Sequence, residues 1–143
     1  MSIGTVARAV RVRWRDDDSA ISGTPGPYLD KAPAGLAMPH VIMRITGSPV
    51  DGRANSGSGT TRRERTALEF EIWSDDGANA LDVLARKLHT TFDNAPLVLD
   101  EGNLLYCRFE NEFTAKDAKW RNVRVHTIAY EVFRSTTETT NPE

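Results

Sequence analysis

The sequence predicts an α+β fold: an antiparallel sheet of about four strands, two helices packed on one of its faces, and a long hairpin loop between two of the strands. Three observations carry that reading. Two segments repeat one helical stripe, Ile3, Val6, Ala7, Val10 and Trp14, then Leu81, Leu84, Ala85, Leu88 and Phe92. Both fall at i, i+3, i+4, i+7 and i+11, which puts one apolar line on each helix. Between and after them, residues alternate apolar and polar with the period of strands that have one dry face. Two helices with one stripe each suit one side of a sheet, giving two layers.

The first helix carries Arg8, Arg11 and Arg15 off its stripe, toward solvent, and Asp16, Asp17 and Asp18 then oppose the negative helix end, so it stops there. The acids do not continue into the oxygen ligands and glutamate of a calcium loop, so they read as a solvated turn. A Gly/Pro/Ala-rich passage follows, with an extended piece at Tyr28-Leu29. Pro39 opens a strand from His40 to Thr46, Val41, Met43 and Ile45 on one face, Ile42 and Arg44 on the other.

Residues 48–63 are Gly/Ser-rich, carry Arg53, Arg62 and Arg63, and have no run able to bury area, so they read as a flexible loop projecting from the sheet. The next strand sets Leu68, Phe70 and Ile72 against Glu69 and Glu71. Ser74, Asp75 or Asp76 then caps the second helix, with Gly77 in its first turn, and the helix ends near Asn94 ahead of Pro96. In the following strand Leu105, Cys107, Phe109 and Phe113 share one face, and Tyr106, Arg108, Glu110 and Glu112 the other. A polar turn spans Thr114 to Lys119. The last strand, Trp120 to Phe133, changes phase between Val125 and Ile128, which calls for a β-bulge near His126-Thr127. Residues 1–134 are then one domain, and the polar residues 135–143 a disordered tail.

A 143-residue chain of net charge −2 has no global attraction to nucleic acid or to an anionic membrane. No apolar run reaches membrane-spanning length, and MSIGTVARAVRVRWR lacks a signal peptide's apolar core, so a cytoplasmic product is expected. Cys107, the single cysteine, sits in a strand phase with apolar neighbours and reads as a small buried hydrophobe. His40, His89 and His126 fall on separate elements without metal-ligand spacing, and the glycines match no nucleotide-binding loop. The paired carboxylates alternate on wet strand faces with no apolar pocket to raise a pKa. We therefore expect no catalytic residues, no metal and no cofactor.

Two features remain as candidates for binding. The outward sheet face mixes charges (Arg44, Glu69, Glu71, Arg108) with Trp73 and Tyr106; it is either solvated or a docking face, since Trp, Tyr and Arg carry much interface energy. The arginines Arg53, Arg62, Arg63 and Arg65 serve solubility, dock a protein, or hold phosphates in a small cytoplasmic nucleic-acid-binding module. No aromatic residue lies among them to stack a base.

The passage Tyr28-Leu29-Asp30 through Met38-Pro39-His40-Val41, the strand ending Ile72-Trp73-Ser74-Asp75-Asp76 directly before a helix, and Trp120-Arg121-Asn122-Val123 leading into a long strand together resemble the tail-completion or tail-terminator proteins of long-tailed bacteriophages. His40 stands where that family has a tyrosine. The likeness runs from Tyr28 to Phe133. It implies a structural virion protein, not an enzyme, assembling as a ring of commonly six copies. That ring would cap the head-proximal end of the tail tube and join it to neck or head-completion (stopper) proteins; another neck or head–tail connector component is the alternative. Genomic DNA would pass through without sequence-specific binding, and no membrane is involved. The interface residues implied are Arg53, Arg62, Arg63, Arg65, Glu69, Glu71, Trp73 and Arg108, with the two glutamates facing arginines of a neighbouring copy.

Overall fold

The computed structural model describes residues 3–16, 18–56, 59–100, 102–116 and 122–139, with the backbone alone described at Ile3 and over 48–62 and 136–139. Helix α1 (Ile3–Arg15) is followed by β1 (Tyr28–Leu29), β2 (His40–Ser56), β3 (Gly59–Ser74), helix α2 (Ala78–Phe92), β4 (Asn103–Lys116) and β5 (Arg124–Thr139). The strands form one sheet in the order β1-β2-β3-β5-β4. The two-layer α+β expectation holds, but the sheet has five strands and is mixed. The two-residue β1 lies parallel to β2, while the other neighbours are antiparallel.

The helices take one face of the sheet because their stripes have nowhere else to go. Val6, Val10 and Trp14 of α1 and Leu81, Leu84, Leu88 and Phe92 of α2 are buried against Val41, Met43, Phe70, Ile72, Ile128 and Val132. At the centre, the Phe70 and Phe92 ring centroids lie 4.8 Å apart, with Trp14 at 6.0 and 6.2 Å from them. Tyr130 meets Phe70 edge-on at 6.1 Å. Such tilted and edge-on contacts suit the ring quadrupoles. Trp14 satisfies its indole by donating to the Thr24 carbonyl at 3.1 Å, which ties the loop after α1 to the core. Cys107 is buried as expected, and burial pushes its thiol up to about 12.

Several local expectations are corrected. Residues 48–56 and 59–63 are not a loop: β2 and β3 stay paired out to Ser56 opposite Gly59. This extension is a ladder of backbone hydrogen bonds that needs no apolar side chain, which is why its composition resembled a loop. Its register sets Arg53 opposite Arg62. Residues 135–139, expected to belong to a disordered tail, are strand: β5 continues through Ser135 to Thr139 against β3, and residues 140–143 lie outside the described residues. Together β2, β3 and β5 form a three-stranded arm reaching past the helices. The polar turn expected from Thr114 is still strand to Lys116, and the final strand starts at Arg124; Trp120 lies outside the described residues.

The expected bulge in the last strand is absent. Its partner β4 shifts register instead, between Leu104 and Tyr106 and between Phe109 and Asn111. Leu105 and Glu110 are the extra residues. The second shift turns Glu112 to the helix side, opposite Ile128, and Phe113 to the outer side, opposite Thr127. Both departures from the expected faces have that single cause.

At α2 the cap is Gly77, with φ of 84° and no side-chain hydrogen bond. Ser74 instead accepts from the Asp76 amide at 3.1 Å, closing the turn before it. The helix ends at Phe92, and Asn94, expected as its limit, takes a left-handed φ of 52°.

Two substitutions test this packing. Phe70→Ala removes the ring on which Trp14, Phe92 and Tyr130 converge and should cost about 3–5 kcal/mol in denaturant unfolding. Gly26→Ala places a methyl 2.7 Å from the Val41 carbonyl at a φ of +125° and should lower the thermal midpoint by several degrees or more.

Candidate functional site

The face of the sheet turned away from the helices is built in cross-strand rows. From β2 to β4 these run His40–Trp73–Val125–Ala115, Ile42–Glu71–Thr127–Phe113, Arg44–Glu69–Ala129–Asn111 and, one step along, Thr46–Ala67–Glu131–Arg108. The alternation of each strand places these side chains together. The first two rows are largely apolar, with Phe113 57 % exposed. His40 is buried beneath its neighbours, its ring stacked parallel to Trp73 at a centroid separation of 6.3 Å.

The expected interface residues divide on this surface. Glu71 is already occupied within the chain, accepting from Arg44 Nε at 2.9 Å and from Trp73 Nε1 at 3.3 Å. The hydrogen bond to Glu71 raises the Arg44 pKa above its ordinary value. Glu69 is half-buried beside Arg44. Arg65 and Arg108 converge on Glu131, a residue not singled out from sequence, at 3.2 and 2.9 Å. Tyr106 donates to the same carboxylate at 3.2 Å. The Arg108 guanidinium lies 4.6 Å from the Tyr106 ring centre and that of Arg65 5.7 Å from Phe133, with the two rings 5.1 Å apart. Glu110, bulged out beside them, hydrogen-bonds Glu131; that contact raises Glu110 and lowers Glu131. Arg63 is exposed on the arm, and for Arg53 and Arg62 the backbone alone is described. The set therefore does not form one cluster: Trp73, Glu71 and Glu69 lie toward one end, Arg65 and Arg108 further along, Arg53, Arg62 and Arg63 on the arm.

On the helix side, where the sheet leaves the core, Arg134 is buried and donates to Glu64 at 2.7 Å. Continuing the alternation Ile128, Tyr130, Val132 by two residues reaches Arg134, so its inward phase could have been read from sequence.

A second polar cluster was hidden by the β4 bulge. Glu112 Oε2 meets His126 Nε2 at 2.8 Å and His89 Nε2 at 3.1 Å. His89 Nδ1 in turn meets Asp93 at 3.1 Å, and the Tyr130 hydroxyl donates to Asp93 at 2.6 Å. These groups tie α2 to β4 and β5 beside a groove of about 720 Å3. Burial, the largest influence, depresses His89, yet its bonds to Asp93 and Glu112 outweigh this and the pKa is raised. For Glu112, burial pushes up, but His126 and His89 prevail and the pKa falls. Among the described residues no group is arranged to hold a metal ion, and no helix is long and apolar enough to cross a membrane.

The model of the family described as tail completion protein gp17 matches residues 8–131, nearly the whole of this fold. The chain belongs to that family. As a tail completion protein it also has structural likenesses. A chain from a virion of a native gene transfer agent particle superposes with a TM-score of 0.67 at 20 % identity, over 92 % of this chain and 96 % of that one. A second solved chain gives a TM-score of 0.52 at 15 % identity, covering 100 % of this chain and 99 % of its own. At such identities these likenesses establish the shared fold. No curated protein matches this tail completion protein in sequence.

The histidine cluster makes stability pH-dependent. Glu112, with a lowered folded pKa, contributes stability that is present above its ordinary value of 4.5 and lost as pH falls through the folded value. His89, with a raised folded pKa, contributes stability that is full below its ordinary 6.5 and lost as pH rises through the folded value. The cluster's contribution should therefore peak between those two values. Thermal melts from pH 4 to 9 should show that His89→Gln removes the alkaline part of this dependence, while Glu112→Gln removes the acidic part and only weakens the alkaline one, because Asp93 still holds His89. Superimposable profiles for His89→Gln and the native chain would contradict it.

Proposed function

We propose that this protein is a tail terminator: a non-enzymatic building block that assembles in the host cytoplasm into a ring, commonly of six copies, at the head-proximal end of the tail tube. The observation that carries this reading is the shape of the sheet in a chain of the tail completion family. It ends laterally in two open edges, β1 with β2 on one side and β4 on the other, and these run in opposite directions. Unpaired edges are normally shortened, covered or charged. Here β4 presents 14 residues. Two different surfaces at opposite sides of one subunit make a head-to-tail contact, and such a contact closes into a ring when its rotation divides the circle. Likeness to a chain of a gene transfer agent virion supports a place in a particle.

In this reading the tail tube protein meets one rim of the ring and a neck or stopper protein the other, while genomic DNA crosses the lumen without sequence-specific contact. The arm of β2, β3 and β5, with Arg53, Arg62 and Arg63, lies outside the core and is available to those partners. The apolar outer rows around Trp73 offer the other contact.

Light scattering after size exclusion should give a ring-sized mass that persists in high salt, and electron microscopy of the particle should place the chain at the junction of tail and neck. A monomer at every concentration, or a position elsewhere in the particle, would overturn the reading. Replacing residues 51–61 by a tight turn should move the thermal midpoint by less than about 4 °C, the effect of ~1 kcal/mol in a chain of this size, while weakening attachment to tail tubes. Loss of folding would show that the arm is part of the core.

A further inference from the structure

The edge of the sandwich at α1 and β1 holds an unclaimed basic groove. Two adjoining hollows of about 690 and 740 Å3 share Arg11, Arg15 and Leu29, and the second reaches Lys31 and Pro33. Val12, 64 % exposed, stands on its wall. The other bases of α1 are engaged: Arg8 pairs with Asp100, and Arg13 donates to the Thr91 carbonyl. Among the described residues, the side chains of Arg11, Arg15 and Lys31 have no ion-pair or hydrogen-bond partner. Asp16 is the one described acid lining either hollow. Three cations beside apolar wall, at a sheet edge only two residues long, form a surface that its own chain leaves unused.

The opposite edge carries the complement. Phe109-Glu110-Asn111-Glu112-Phe113 in β4 has two acids, no base and two exposed rings, at 38 % and 57 %; both acids already have a partner within the chain, Glu112 in His89 and His126 and Glu110 in Glu131. Lengths agree as well. The groove follows α1 from Gly4 to Arg15, about 18 Å at 1.5 Å per residue, and five strand residues span about 17 Å. Directions agree too. β1 runs with β2 and β4 against it, so a copy related by rotation about a ring axis brings its β4 antiparallel to β1. In that placement the helix-side residues Phe109 and Glu112 come over Leu29 and the two arginines.

We propose that the basic groove between α1 and β1 is the seat for the Phe109–Phe113 strand of the next copy, so that acid and ring on one subunit meet arginine and apolar wall on its neighbour. This rests on the ring reading above and supplies the contact that closes it. The outer-face glutamates Glu69 and Glu71 are not the neighbour's partners here.

Two charge-reversed variants test it: R11E/R15E/K31E, with an acidic groove, and E110K/E112K, with a basic strand. Each alone sets like charges together and should raise the midpoint concentration for assembly by roughly a hundredfold, with the monomer's circular dichroism unchanged. Mixed in equal amounts, they should recover assembly, because each groove then meets a strand of opposite charge. If E112K disturbs the contacts to His89 and His126 and unfolds the chain, E112Q, which removes the charge at the same position, replaces the double variant in the first measurement and should weaken assembly as well. Should the native chain form rings and the variants form them equally well, this seat is wrong while the ring stands. Failure of the mixture to recover also overturns the seat. A native chain that is monomeric throughout overturns the ring and the seat together.

Discussion

The sheet of this tail completion protein is sealed on one side only. The apolar stripes of the helices, from Val6 to Trp14 and from Leu81 to Phe92, are buried against the face that carries Phe70, Ile128 and Tyr130, while Val12 and Val83 stay exposed. Among the described residues two helices and five strands make two layers, so the other face and both lateral edges are left to solvent or to neighbours. A subunit built in this way is stable because of its buried face and useful because of its open ones. The arrangement also explains why the outer face is not simply hydrophilic: Ile42, Trp73, Val125 and Phe113 occupy the rows that a further layer could cover.

The charges on that open face are largely settled internally. Glu71 holds Arg44, and Glu131 gathers Arg65, Arg108 and Tyr106. Exposed pairs of this kind contribute little to stability, commonly under ~1 kcal/mol each. Their effect here is on specificity: a face whose carboxylates already have partners offers a neighbour little net electrostatic gain. The lateral groove differs, because Arg11, Arg15 and Lys31 find no partner among the described residues of their own chain. Cations without a side-chain partner at one edge are a better guide to assembly than charge density on a face whose charges are already paired.

What could be read from the sequence was the periodic part. Both stripes, the alternation around Phe70, and the inward phase of Cys107 depend on residues a fixed number apart, and they folded as spacing implies. Three features were not legible, each for a physical reason. The arm is held by backbone pairing, with register shifts between Gly47 and Val50 and between Val50 and Gly52, so Gly, Ser and Thr there carry no periodic signal even though β2 and β3 stay paired to Ser56 and Gly59. The β4 bulges were invisible because Phe109 and Phe113 are an even number apart and fit one unbroken face; a bulge between them reverses the phase without leaving a mark in the pattern. The phase change noticed in the last strand had a simpler cause: β5 begins after Val123, and Val125 belongs to the outer face. Of the residues expected at an interface, those on the sheet do lie on its outer face, but Glu131, the internal partner of Arg65 and Arg108, required knowing which strands lie side by side.

Those bulges bear on assembly as well as on sequence reading. A straight, uninterrupted β4 of 14 residues would be an indiscriminate edge, able to pair with any strand and in several registers. The extra residues at Leu105 and Glu110 break its ladder into segments and fix which side chains face which way, so that Phe109 and Glu112 share the helix side across the irregularity. His126 and His89 then hold the Glu112 carboxylate in a defined place at 2.8 and 3.1 Å. An edge shaped in this manner accepts a partner in one register and refuses slippage, which is what closure of a ring demands, since a small error at each contact accumulates around the circle. In the proposed ring each contact is weak in isolation. Closure makes the last contact intramolecular and stabilises all of them at once.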